Sequence, residues 1–214
     1  MEPTRAFRPT PETARDRLLE AAVRQIRLQG FAATSVDRLC AEAGVTKGAF
    51  FHHFASKEAL GVAAAQYWSE STGRFFEEAP YHQLPRAIDR VLGYIDFRIA
   101  LIAGPAESFS CVAGTMLQEA FSSSEAIRRA CEDSILGNAR ALESDLAEAM
   151  ADAGITGTSA ESLSRHMQTV IQGSFILAKA RGEARAEDMA REALGHLRRY
   201  FELLFQPGAK ENVQ

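Results

Sequence analysis

Thr46-Lys47-Gly48-Ala49-Phe50-Phe51-His52-His53-Phe54-Ala55-Ser56-Lys57 reads as a short helix, a tight break and the start of a longer helix. Thr46 is a natural N-cap, because its hydroxyl can satisfy an orphan N–H of the first turn. Val45 before it and Phe50 within it have the spacing of a hydrophobic staple. Phe50 and Phe54 are four residues apart, share one face and hold the helix inward. Lys47, Gly48, Phe51 and His52 then point away from that anchor. A cation, a patch of bare backbone, an aromatic ring and an imidazole on the exposed face of so short a helix suit a groove in nucleic acid.

The residues just upstream complete a motif. Ser35 caps a helix whose apolar positions Val36, Leu39, Cys40 and Ala43 have the i, i+3, i+4, i+7 spacing of a buried face. Gly44 stands where a helix ends in a left-handed residue. Two short helices around a glycine turn, the second with a polar and basic face, describe a helix-turn-helix. The stretch Gly30 to Lys57 (GFAATSVDRLCAEAGVTKGAFFHHFASK) resembles the DNA-binding head of the TetR/AcrR family of bacterial transcriptional regulators. The specific motifs cover roughly the first quarter of the chain, and the remainder matches the family in general plan.

The resemblance implies roles for residues that match the family pattern. Lys47 and Gly48 fall where such proteins meet base edges, the lysine donating to guanine acceptors and the glycine letting backbone approach. Ser35, Thr46, His53 and Lys57 fall at positions that bind phosphate, which sets register without reading sequence. Phe51 stands where the family commonly has tyrosine, so a hydroxyl-to-phosphate bond is lost. The ring can instead press on a thymine methyl or cover backbone. His52 completes the exposed set, facing solvent or DNA. Adjacent residues on a helix diverge by about 100°, so His52 and His53 are poorly placed to chelate one ion, and no metal is expected.

Bulk composition agrees with a local DNA contact. The chain has 214 residues, 46% hydrophobic and 24% charged, with a net charge of −4, the profile of a soluble globular protein. Residues 1–60 hold nine Lys/Arg against seven Asp/Glu, and the remainder fifteen against twenty-one. A near-neutral head on an acidic body excludes a sequence-blind nucleic-acid coat. Cys40, Cys111 and Cys131 lack zinc or disulfide-framework spacing. No signal-peptide core or membrane-spanning run is read, so a cytoplasmic location is expected.

The sequence predicts an all-α chain: a three-helix helix-turn-helix head, joined by a linking helix to a larger helical ligand-binding and dimerisation domain. Residues 1–11, with Arg5 and Arg8, read as a flexible arm, 12–60 as the DNA-binding domain, 61–206 as the second domain and 207–214 as a disordered tail. The first helix runs from Thr13 to Gln29, with Leu18, Ala22 and Ile26 inward and Arg15, Arg17, Arg24 and Arg27 off that stripe. Ser56 caps the linking helix, whose stripe is Leu60, Ala64, Trp68, Ser71 and Phe75. The boundary falls inside or near this continuous helix, around residue 60. Pro85 suits the first turn of a fifth helix with Ile88, Leu92, Ile95, Ile99 and Ile102 on one face. Gly104-Pro105 breaks it, and a short helix from about Cys111 to Phe121 follows. The next is capped at Ser122–Ser124 and carries Ile127, Cys131, Ile135, Leu142, Leu146 and Met150 as far as Gly154. Ser159 opens a helix ending at Gly182, and the last runs from about Arg185 to Phe205.

The family plan implies a small-molecule inducer bound in the body. Trp68, Phe97, Met116, Met167 and Phe175 suit such a cavity by size and softness, although each also suits ordinary core. Glu119 in MLQEAF and Gln172 in VIQGSF are polar residues on apolar segments, and face ligand, solvent or a partner. Cys111 opens a helix whose positive N-terminal field favours thiolate. Its segment resembles those of family members that respond to electrophiles; the other reading is a small buried hydrophobe. In the last helix Ala190, Leu194, Leu197, Phe201 and Leu204 form one stripe, and Met189, Ala193, Tyr200 and Phe205 widen it beyond one neighbour's needs; this predicts a homodimer with Met189, Ala193, Tyr200 and Phe201 at its interface. Such a dimer sets two heads about 34 Å apart on an inverted-repeat operator. No catalytic constellation and no cofactor motif is found. The alternative is a small all-α enzyme or ligand carrier whose helix-turn-helix is only architectural.

Overall fold

The computed structural model describes residues 13–206; the arm with Arg5 and Arg8 and the 207–214 tail lie outside the described residues. The helices are α1 (Ala14–Gln29), α2 (Val36–Ala43), α3 (Lys47–His53), α4 (Lys57–Glu77), α5 (Ala87–Ala100), α6 (Ala106–Phe109), α7 (Val112–Ala120), α8 (Glu125–Arg140), α9 (Glu143–Ala153), α10 (Ala160–Arg181) and α11 (Ala186–Leu204). Short 3-10 turns occupy Pro80–Gln83 and Glu183–Arg185. The described residues contain no strand, and the chain is all-α. None of their helices is long and apolar enough to cross a membrane.

Local chemistry sets most helix ends. Thr13 and Asp16 form a reciprocal capping box that opens α1. Ser35, Thr46, Ser56, Ser124 and Ser159 each accept an N–H from the first turn of the helix that follows. Gly44 and Gly154 close α2 and α9 in the left-handed conformation, at φ 63° and 61°, where a side chain is strained.

The chain divides into two compact units. The first runs through Phe75 and adds Ser110–Ile135, which returns much later in the sequence. Three short helices bury too little surface to close a core by themselves. Leu18, Leu19, Ala22 and Ile26 of α1 therefore share one cluster with Leu39, Phe50, Leu60, Ala64 and Trp68, and with Val112, Met116, Ile127 and Cys131 of α7 and α8. This unit runs past residue 60, the boundary expected from the sequence, because α7 and the first part of α8 complete its core.

Several register expectations shift within this frame. The inner stripe of α4 passes through both Ser71 and Thr72, whose hydroxyls return to the Tyr67 and Trp68 carbonyls at 2.6 and 2.7 Å. It then ends on Phe76, with Phe75 only half-buried. Arg27, placed off the stripe of α1, is buried with its guanidinium 5.2 Å from the Trp68 ring centre.

The second unit comprises Phe76–Phe109 and the residues from Leu136 onward. Within it α5 packs on α9 and α11, and α10 packs on α11, α9 and α6. Pro85 precedes the N-cap Arg86 and lies outside α5. The buried face of α5 is Ala87, Val91, Tyr94 and Ile95, while Ile88, Leu92 and Ile99 are half-buried. The Pro80–Gln83 turn causes that rotation. Tyr81 packs against Tyr94 with ring centres 5.8 Å apart, and it lies so close to Gly93 that a Cβ there would come within 2.8 Å of it. The single helix expected from Ser124 to Gly154 is two helices. The Leu142 N–H bonds the Ala139 carbonyl, a 3-10 closure that ends α8. Arg90 of α5 then ties down α9 through Asp145 at 2.8 Å and Glu148 at 2.5 Å.

Met116 is fully buried in the first unit, and truncating such a side chain costs roughly 2–5 kcal/mol. Met116→Ala is therefore expected to destabilise the head itself. Urea unfolding followed by the fluorescence of the single tryptophan, Trp68, measures it; an unchanged midpoint would place α7 outside the head core.

Candidate nucleic-acid interface

The face begins with how α3 is held. Phe50 is fully buried and Phe54 nearly so, their ring centres 5.9 Å apart. Arg15 of α1 lies over the Phe54 ring at 5.5 Å. With that side fastened, Thr46, Lys47, Gly48, Phe51, His52 and His53 are all exposed. Phe51 meets Phe50 edge-on at 5.1 Å yet remains 55% exposed.

The turn before α3 is equally determined. The Gly44 and Val45 N–H groups bond back to the Ala41 and Cys40 carbonyls at 3.3 and 3.0 Å, closing α2 and reversing the chain. Arg17 Nε donates to the Ala43 carbonyl at 3.0 Å, placing a cation at the negative end of α2. Arg24 pairs with Glu42 at 2.6 Å and Gln25 donates to the same carboxylate. These contacts make α1 the brace of the helix-turn-helix.

Two expected contact residues have partners that the sequence did not reveal. Lys47 Nζ lies 2.7 Å from Asp37 Oδ1 across the turn, and the hydrogen bond and charge of Asp37 raise its pKa above the ordinary lysine value. The ammonium therefore stays cationic and aimed from α3 toward α2. Lys57 turns inward, donating to the Ala32 carbonyl at 3.0 Å and lying 4.6 Å from the centre of the Phe31 ring. Burial lowers its pKa. Ser35, with its hydroxyl on the Arg38 N–H at 3.2 Å, leaves Arg38 exposed beside it. Sequence reading missed Arg38 and Asp37; their signal was their position in the first turn of α2, facing the turn that leads into α3.

His52 and His53 present rings 5.0 Å apart, with their planes at 70° to one another.

The residues expected around an inducer divide between the two units. Trp68, Cys111, Met116 and Glu119 belong to the first unit, and Phe97, Met167, Gln172 and Phe175 to the second. Trp68 and Met116 are core of the head. Glu119 accepts the Ala32 N–H at 2.7 Å, which engages its carboxylate with the head. Cys111 is the N-cap of α7, its sulfur accepting the Gly114 N–H at 3.4 Å. Cys131 is fully buried, and burial pushes its thiol up to about 12. In the second unit Phe97 packs on Phe76 and Tyr81, Met167 is core, and Phe175 meets Phe109 at 6.0 Å. Gln172 is half-buried. Gln168, which sequence reading passed over, is buried with Nε2 lacking a hydrogen-bond partner. It lies two turns before Phe175 on the same face of α10, and its signal was the one that singled out Gln172, an amide in an apolar run.

Residues 18–64, from the first buried leucine of α1 into α4, match the model of the bacterial regulatory proteins of the tetR family. The helix-turn-helix region of the chain is thus that of the tetR family. It is 41% identical over 54 residues to the HTH-type transcriptional regulator YerO of Bacillus subtilis (strain 168), a match spanning 25% of this chain and 19% of that relative. It is 25% identical over 172 residues to LmrA, another HTH-type transcriptional regulator of the same organism, covering 77% of this chain and 85% of LmrA. Its fold is similar to the reduced form of E. coli NemR, with TM-score 0.72, 23% identity, and coverage of 86% and 95% of the two chains. A TetR transcriptional regulator from Chloroflexus aurantiacus J-10-FL superposes with TM-score 0.75 at 20% identity, covering 88% and 94%. These similarities support a DNA-binding regulator, and α3 lies within the matched residues.

Gly48 gives a direct test of that surface. A Cβ there would meet only Thr46 Oγ1, at an ordinary 3.7 Å. Gly48→Ala is expected to leave the fold intact and to stabilise α3 by roughly 0.5–1 kcal/mol through helix propensity. It is also expected to weaken binding to a duplex selected by the parent chain by about tenfold, as backbone approach is blocked. Thermal unfolding and fluorescence anisotropy read the two effects separately; unchanged DNA affinity would remove Gly48 from the interface.

Proposed function

We propose that the chain is a transcriptional repressor that binds an inverted-repeat operator as a homodimer and is released from it by a small-molecule inducer. The observation that carries the DNA half is the exposed Lys47-Gly48-Phe51-His52 face on a helix whose opposite side is fastened by Phe50 and Phe54. Lys47 reads base edges, while Ser35, Thr46 and His53 hold phosphates on either side. Lys57 contributes positive charge to the backbone contact in addition to its bonds with Ala32 and Phe31. Repression and induction follow the family resemblance, and the named relatives are described as transcriptional regulators.

Dimerisation is supported by apolar surface on the last two helices. Ile176 and Leu177 of α10 and Tyr200 and Leu203 of α11 are each at least 43% exposed. The two helices pack on one another, with His166 and Tyr200 in ring contact at 5.0 Å. Phe201, expected at the interface, is fully buried in its own unit, leaving Tyr200 with the half-buried Met189 and Ala193 beside it. An isologous pairing of these helices covers apolar groups that one chain leaves in water. For the inducer, the amides of Gln168 and Gln172 are the polar handles offered by α10, with Phe175 as the apolar wall.

Base reading and phosphate holding separate in a salt titration. Lys47→Ala is expected to reduce affinity for the selected duplex by about 1–3 kcal/mol while barely changing affinity for random duplex. An equal loss on both duplexes would assign Lys47 to backbone binding. For the dimer, Leu177→Asp combined with Leu203→Asp is expected to raise the dimer dissociation constant by at least about tenfold (~1.4 kcal/mol) and to abolish tight binding to an inverted repeat. Sedimentation velocity checks it, and a double variant that stays dimeric at low micromolar concentration rules out this pairing.

A further inference from the structure

The peptide of Ala32, in the loop between α1 and α2, is gripped from both sides. Its N–H donates to Glu119 Oε2 at 2.7 Å, and its carbonyl accepts Lys57 Nζ at 3.0 Å. Glu119 comes from α7, which joins the head unit from much later in the chain, whereas Lys57 is the first residue of α4. Three residues beyond Ala32 stands Ser35, the cap of α2, and Lys57 follows the break after α3. One short loop is therefore tied at once to the start of α4 and to a helix that sequence distance gives no reason to expect there.

The surroundings of the loop are built around that tie. Gly30 has φ +89°, and a Cβ on it would lie 2.0 Å from Glu119 Oε1, so the carboxylate occupies the space a side chain would need. Thr34 Oγ1 donates to the Gly30 carbonyl at 2.7 Å, and the Thr34 N–H bonds the Phe31 carbonyl at 3.2 Å. These bonds carry the position of Ala32 on to Ser35. A second tie also ends on the first turn of α4, with Ser124 at the start of α8 bonded to Glu58. Gly61 of α4 lies so close that a Cβ would come within 2.8 Å of the Phe31 ring and 3.2 Å of Ile127.

We propose that Glu119 is a positioning residue for DNA recognition: by holding the Ala32 peptide it sets the placement of the Ser35 end of α2 relative to the start of α4, and so the spacing of the phosphate contacts that flank α3. Glu119 itself touches no DNA. A carboxylate would be repelled by phosphate, and its place on the Ala32 amide gives it an effect through the loop alone. The inference rests on the DNA-binding role proposed above. It adds to that role a residue lying outside the helix-turn-helix, in the part of the chain where sequence reading sought an inducer contact.

The experiment uses the full-length chain and a duplex selected from a random library by the parent protein. Fluorescence anisotropy over a range of salt concentrations is paired with circular dichroism to confirm folding at the assay temperature. Glu119→Ala is expected to weaken the selected duplex by about tenfold, to weaken random duplex less, and to leave the salt slope unchanged, because no phosphate contact is removed. Glu119→Gln keeps an acceptor oxygen for the Ala32 N–H and is expected to bind within about threefold of the parent. Gly30→Ala collides with Glu119 and is expected to lose affinity too. Combined with Glu119→Ala it loses less than the sum of the two, since the collision is gone. Should Glu119→Ala unfold, Glu119→Met, which keeps the side chain's length but offers the Ala32 N–H no oxygen, carries the test against the glutamine variant. The inference is overturned if folded Glu119→Ala binds like the parent, if glutamine fails to restore binding, or if the effects of Gly30→Ala and Glu119→Ala simply add. A parent chain that selects no duplex overturns the DNA role and this inference with it.

Discussion

Everything the head presents to its surroundings depends on Phe50 being out of water. The recognition helix has only seven residues, too few to persist by itself, since helix nucleation is costly and a helix this short is marginal without tertiary support. Burying Phe50 and Phe54 supplies that support and selects which side of α3 faces outward. The Thr46 cap, the Gly44 turn and the Arg15 guanidinium over Phe54 all act on a helix whose orientation that burial has already set. The outward face is then whatever remains: a lysine, a glycine, an exposed phenylalanine and two histidines.

That burial in turn requires a core larger than the helix-turn-helix can assemble. The cluster containing Phe50 extends through Trp68 of α4 to Met116 of α7 and Cys131 of α8. The core of this unit therefore draws on residues from much later in the chain. A change that moves α7 acts on α1, which packs against both α7 and α3. The ties from Glu119 to the Ala32 amide and from Ser124 to Glu58 run over the same helices at the surface.

The second unit is organised differently. Its aromatic cluster of Phe76, Tyr81, Tyr94 and Phe97 is packed ring on ring, with Arg98 over Phe76 at 4.1 Å and its Nε on the Tyr94 hydroxyl at 2.9 Å. The partly buried Arg90 joins α5 to α9 through two carboxylates. By contrast α10 and α11 end with apolar side chains in water and one buried amide without a partner. These are the features that a second copy of the chain and a bound small molecule would satisfy.

Local chemistry was legible in the sequence because it acts over three or four residues. The caps at Ser35, Thr46, Ser56, Ser124 and Ser159, the left-handed glycines at 44 and 154, and the buried stripe of α1 all depend on neighbours a turn away. So did the exposure of Gly48 and His52 on α3, since burying Phe50 and Phe54 turns them outward. Tertiary structure decided what depends on partners distant in sequence. Periodicity names an apolar face without naming its neighbour, so the face of α5 rotated when Tyr81 packed beside Gly93, and the helix expected from Ser124 to Gly154 broke at Leu142. The same limit applied to charges. Nothing near Lys47 or Lys57 in the chain shows that Asp37 holds the first and the Ala32 carbonyl the second. Nor does MLQEAF reveal that Glu119 reaches the head, because a hydrogen bond across 87 positions of sequence exists only after the helices have packed.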